Sequence, residues 1–106
     1  MEHEIRVRGR GRVQLPAYGL ADAEHRVEKE ISRLWPGTLV QVLDVARGEG
    51  EARIVEEFTV AYRLENTLRV EAYSPDSARA AAFRAARALL ADSRYVRTEW
   101  ESPNRP

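Results

Sequence analysis

Ser74-Pro75-Asp76-Ser77 constrains this chain more than any other stretch. A serine N-cap accepts a hydrogen bond from a free backbone N–H of the first helical turn. Proline at the first helical position gives up only an N–H that has no helical acceptor, and an aspartate beside it meets the positive end of the helix dipole. A helix therefore starts here. Its continuation to about residue 91 places Ala78, Ala82, Ala85, Ala86 and Leu89 on one face, with Phe83 and Leu90 at the margin. So shallow a face lets a helix lie close on a sheet.

The flanking residues supply strands. Residues 53–64 alternate, with Ile54, Phe58, Val60, Tyr62 and Leu64 on one side and Glu56 interrupting that side. Leu68, Val70 and Ala72 form the inward set over residues 67–73. A period of two marks a strand with one buried face. Glu65-Asn66 predicts a tight hairpin turn between these runs, without the Asn-Gly pair that most favours one. Residues 94–100 predict a closing strand.

Upstream, residues 4–15 alternate, with Ile5, Val7, Gly9, Gly11, Val13 and Leu15 on one side and Arg6, Arg8, Arg10, Arg12 and Gln14 on the other. Glycine weakens a strand interior, so Gly9 and Gly11 mark a bulge, a bend or a close approach by another group. Residues 22–34 carry Ala23, Val27, Ile31 and Leu34 at helical spacing, with Leu20 extending the stripe. Asp22 serves as N-cap or first-turn anion, and Pro36-Gly37 ends the helix. Residues 38–46 are almost continuously apolar, the pattern of a strand covered on both faces. Residues 47–50 form a turn.

The order β-α-β-β-β-α-β predicts an α+β fold, a ferredoxin-like sandwich with two helices on one face of a largely antiparallel sheet. Breaking the first strand at Gly9–Gly11 gives an alternative, two strand–strand–helix–strand modules. Residues 1–101 read as a single domain and 102–106 as a flexible C-terminal tail. One sheet face is left without helices, to meet solvent, a ligand or another subunit.

Composition narrows the function. The absence of cysteine excludes disulfides and thiolate chemistry, and two histidines leave little for a zinc site, so no metal and no cofactor is expected. No run of about 18 apolar residues predicts a membrane span, and the N-terminus lacks a secretory h-region, so the expected location is cytoplasmic. Seventeen basic residues balance 17 acidic ones, which argues against general attraction to nucleic acid or membrane. All basic residues but Lys29 are arginine, and Asn and Gln together number only four. That bias fits a thermophile, or equally a GC-rich genome.

The candidate ligand- or phosphate-binding residues are Arg6, Arg8, Arg10 and Arg12, with Tyr73 and Tyr95. Side chains two apart on a strand share a face. Four guanidiniums in a row can hold phosphate or carboxylate in bidentate fashion, or pair with Glu56, Glu57, Glu71 or Glu99 of neighbouring strands. By parity, Tyr73 and Tyr95 point to the helix-free side, where a ring can stack on a planar ligand. His25 and Glu28 share a helix face, but no second His-rich element completes a metal site. Phosphate loops, nucleophile elbows and paired catalytic carboxylates are absent. These features predict a non-enzymatic module that associates with itself, as a homodimer or larger oligomer, in a structural, regulatory or small-ligand role with a small anion as ligand. The alternatives are an RNA- or DNA-binding module on the arginine row and an enzyme whose site forms between subunits.

Overall fold

The computed structural model describes residues 1–48 and 54–101. Its elements are β1 (Glu2–Ala17), α1 (Leu20–Leu34), β2 (Leu39–Arg47), β3 (Glu56–Glu71), α2 (Pro75–Leu90) and β4 (Glu99–Trp100). The sheet order is β2-β3-β1-β4, with every neighbouring pair antiparallel. Two helices on this four-stranded sheet make an α+β ferredoxin-like arrangement, as the sequence pattern predicts.

The core lies between the helices and the inward residues of the central strands. Val7, Val13 and Leu15 of β1 and Phe58, Val60, Tyr62 and Leu64 of β3 meet Ala23, Val27 and Ile31 of α1 and Ala82, Ala86 and Leu90 of α2. On α1 these are the predicted helical stripe, whereas Leu20 is exposed. Asp22 is the first-turn anion. Its Oδ2 accepts from Tyr18 N and Arg26 Nε, each at 2.9 Å, while Gly19 holds the N-cap position without a side-chain bond. Those two donors, the Tyr18 amide first, lower the Asp22 pKa. The N-terminus of α2 forms as its sequence dictates: Ser74 Oγ accepts from Ser77 N at 3.1 Å and Pro75 is the first helical residue.

Three features depart from expectation. No turn interrupts Glu65-Asn66, because β3 runs straight through it and pairs with β1 from Glu2↔Glu71 to Ala17↔Glu56. Asn66 instead ties β3 to the α1–β2 connection, donating through Nδ2 to Pro36 O at 3.2 Å and to Thr38 Oγ1 at 3.0 Å. The sheet therefore has one strand where two were predicted. Second, β2 is an edge strand, not a doubly covered one; Val40, Val42 and Val45 pack inward while Leu39 and Leu43 are exposed. A register shift lies between Val42 and Asp44. Third, only Glu99–Trp100 of the predicted closing strand pairs, with Gly9 and Arg10. Residues 91–97 turn instead, held by local bonds such as Ser93 Oγ to Leu90 O at 2.8 Å and Thr98 N to Tyr95 O at 3.1 Å. Short hydroxyl side chains compete with strand ladders in this way.

The ribbon of β1 and β3 outruns its neighbours. Residues Glu2–Val7 and Asn66–Glu71 pair only with each other. They form a two-stranded arm, and α2 packs against both of its strands. Residues 49–53 and 102–106, which include part of the predicted 47–50 turn, the predicted start of the third strand and the predicted tail, lie outside the described residues. No described helix is long and apolar enough to cross a membrane.

Candidate anion-binding face

The even-numbered side chains of β1 and the odd-numbered ones of β3 emerge on the side away from the helices. All four predicted arginines stand there, exposed, but in two different electrostatic settings. On the arm, charges are matched. Arg6 and Arg8 share Glu65, at 3.2 and 3.0 Å, and Arg69 reaches Glu4 at 3.1 Å and Glu2 at 3.6 Å. Glu65, the residue read as a turn-former, is thus the partner that half the arginine row finds.

Further along, matching stops. Arg10 stands directly opposite Arg63 of β3, Arg12 opposite Ala61, and Gln14 opposite Thr59. Among the described residues, no carboxylate lies within 4.0 Å of the guanidinium of Arg10, Arg12, Arg63 or Arg97. Glu99 neighbours Arg10 on β4 without closing an ion pair. Like charges in direct cross-strand register are destabilising, so the fold retains an unfavourable pair at this point.

Two grooves open here. One of about 470 Å³ is lined by Arg10, Arg12, Arg97, Glu99, Leu43 and Tyr62, among others. A second of about 500 Å³ is lined by Arg12, Gln14, Thr59, Arg94, Val96 and Arg97, with Val13. Arg12 and Arg97 belong to both.

Arg97 reaches the face from the 91–98 segment, which is anchored on either side of it. Tyr95 is buried, and its hydroxyl donates to Glu30 Oε1 of α1 at 2.6 Å. Its ring meets Tyr62 edge-on at 5.4 Å. Thr98 Oγ1 donates to Tyr95 O at 2.7 Å, so its contact with Tyr62 Oη at 2.6 Å has the tyrosine as donor. Arg94 is engaged as well, with Glu30 at 3.1 Å and Gln14 O at 3.2 Å. Burial, followed by the bond to the Glu30 carboxylate, raises the Tyr95 pKa far above the phenolic range. Burial also raises that of Tyr62.

The two glycines of β1 make room for this anchor. A Cβ on Gly11 would stand 2.6 Å from Tyr62 Oη, and one on Gly9 would stand 2.6 Å from Thr98 Cγ2 and 2.8 Å from the Trp100 ring. Close approach, of the three meanings the glycines allow, is the one realised.

The aromatic candidates fare differently from the arginines. Tyr95 is buried on the helix side, because the segment bearing it turns and strand parity does not apply. Tyr73 lies beyond the end of β3, fully exposed. Neither joins the arginines, so the face offers no stacking platform from these two rings. His25 is exposed on α1, and no group of three or more metal-capable side chains occurs among the described residues. His3 Nε2 is buried without a hydrogen-bond partner under the arm. Arg63 and Arg97 are the site residues that sequence reasoning missed. The outward parity of Arg63 was readable, but its register against Arg10 was not.

No protein-family model, no curated protein and no solved structure matches this chain.

Proposed function

We propose that this chain is a binding module that takes a small phosphorylated anion on its helix-free sheet face. Arg10, Arg12, Arg63 and Arg97 are the ligand-holding residues. The observation that carries the reading is the unmatched Arg10–Arg63 pair beside Arg12 and Arg97, on a sheet whose remaining outer-face arginines are matched. A bound anion converts that repulsion into charge-assisted hydrogen bonds. The anchored 97–98 segment supports it, because a cation fixed before binding loses less entropy on binding. Among the described residues that line them, the grooves offer cations and hydrogen-bond donors with Glu99 as the one carboxylate, which suits recognition better than catalysis. Among the described residues no exposed ring lines either groove, and with a balanced net charge this favours a compact anion over a nucleic-acid strand.

Titration calorimetry with inorganic pyrophosphate tests this. Binding is expected at low ionic strength, weakening with added salt, and it should vanish in Arg10→Ala/Arg12→Ala while Arg6→Ala retains it. A wild-type protein that binds no pyrophosphate at millimolar concentration refutes the assignment.

A second reading, self-association, draws on β2. This edge strand exposes Leu39 and Leu43 beside unpaired backbone groups, the kind of edge that a second copy of the same strand can extend. Sedimentation over a micromolar range tests it, and a concentration-independent monomer rejects it.

A further inference from the structure

We infer that the ligand is a nucleotide-type molecule, laid lengthwise along β1 with its phosphates at Arg10, Arg12 and Arg97 and its uncharged body over Gln14, Thr59 and Val96. The inference rests on the anion-binding reading and adds the chemical class of the ligand.

The two grooves are unlike. They share Arg12 and Arg97, and they succeed one another along β1, the first at Arg10–Arg12 and the second at Arg12–Gln14. The first holds the uncommitted cations. The second offers an amide at Gln14, a hydroxyl at Thr59 and the exposed methyl groups of Val96; its remaining cation, Arg94, is already bonded to Glu30 and Gln14 O. A ligand that is anionic throughout leaves the second groove unused. A ligand with a phosphorylated head and a neutral, hydrogen-bonding, partly apolar body fills both. Each groove lies within the range of about 300–1,000 Å³ usual for small-molecule sites. Side chains two apart on a strand are about 6.6 Å apart, so Arg10 and Arg12 can grip neighbouring phosphoryl groups of one chain. Glu99, at the Arg10 end, disfavours a backbone that continues past the head, which limits the ligand to a single nucleotide.

The test compares inorganic pyrophosphate with nucleoside diphosphates by calorimetry on the wild-type chain and on Gln14→Ala/Thr59→Ala. Both substitutions lie on the exposed side of the sheet, and far-UV circular dichroism verifies the fold. At least one nucleoside diphosphate is expected to bind tenfold or more tightly than pyrophosphate. The double variant should remove that advantage and leave pyrophosphate affinity unchanged. Amide chemical shifts of Gln14, Thr59 and Val96 should respond to the nucleotide and stay still with pyrophosphate. Equal wild-type affinities for the two probes, or a short single-stranded oligonucleotide outbinding every mononucleotide, overturns this inference and leaves the anion site standing. No binding of either probe overturns both.

Discussion

Gly11→Ala is the sharpest probe of how the site is built. The added Cβ would lie 2.6 Å from Tyr62 Oη and 3.0 Å from its Cζ. Tyr62 cannot step aside easily: it is 1% exposed, lies edge-on to Tyr95 and donates to Thr98 at 2.6 Å. Forcing an extra carbon into a packed interior costs about 1–3 kcal/mol. Losing the Tyr62–Thr98 bond adds about 0.5–1.5 kcal/mol. Against this, alanine in a strand is favoured over glycine by about 0.5–1 kcal/mol, from unfolded-chain entropy. The expected net destabilisation is about 2 kcal/mol, or a fall in melting temperature of roughly 8–16 °C for a domain of this size. Urea denaturation followed by the fluorescence of Trp35 and Trp100 measures it. The decisive comparison is a double-mutant cycle with Tyr62→Phe, which removes the nearest clashing atom. In that background Gly11→Ala should cost about 1 kcal/mol less. A neutral Gly11→Ala, or costs that add within about 0.5 kcal/mol, would refute the close-approach argument.

Two further predictions follow from the charges and the buried phenols. Arg63→Gln relieves the like-charge register with Arg10, so the ligand-free protein should gain about 0.5 kcal/mol at low salt, a gain that fades in about 1 M NaCl, where the screening length is short; destabilisation, or indifference to salt, counts against an uncompensated pair. Tyr95 has its folded pKa raised above 10.0, so above pH 10 the unfolded chain loses a proton that the native one keeps. Its contribution is therefore complete below pH 10 and is lost as pH rises beyond it, by about 1.4 kcal/mol per pH unit. Denaturation midpoints of Tyr95→Phe should fall less steeply there than those of the wild type, and parallel slopes would exclude the assignment.

Much of the architecture was written into local chemistry. Ser74 and Pro75 fix the start of α2, and the inward odd-numbered residues of β1 give its buried face. The error at Glu65-Asn66 is instructive because the sequence contained its correction. A two-residue turn there would set Leu64 opposite Thr67 on one face, leaving Leu68 and Val70 outward. The apolar set Tyr62, Leu64, Leu68, Val70 keeps even parity throughout, which only an uninterrupted strand satisfies. Tyr95 failed for the opposite reason. Strand parity predicts its direction only if the segment is extended, and here the Ser93 and Thr98 hydroxyls hold turns. The site itself was half visible: Arg10 and Arg12 were in the row, but their distinction from Arg6 and Arg8 depends on where Glu65 falls across the sheet. Register between strands distant in sequence is set by tertiary packing, which no local pattern encodes.

The uninterrupted β3 also decides when this fold can assemble. Only the pairing of β2 with β3 is local in sequence; every rung of the central β1–β3 ladder joins residues roughly 40 to 70 positions apart. Closing such spans costs chain entropy before any packing offsets it, so folding should be slow for a chain of this length. On the ribosome β1 emerges first and has no strand to pair with until β3 follows. The charged row on its outer side then has a second value: repulsion among arginines keeps nascent copies of β1 from pairing with one another while they wait.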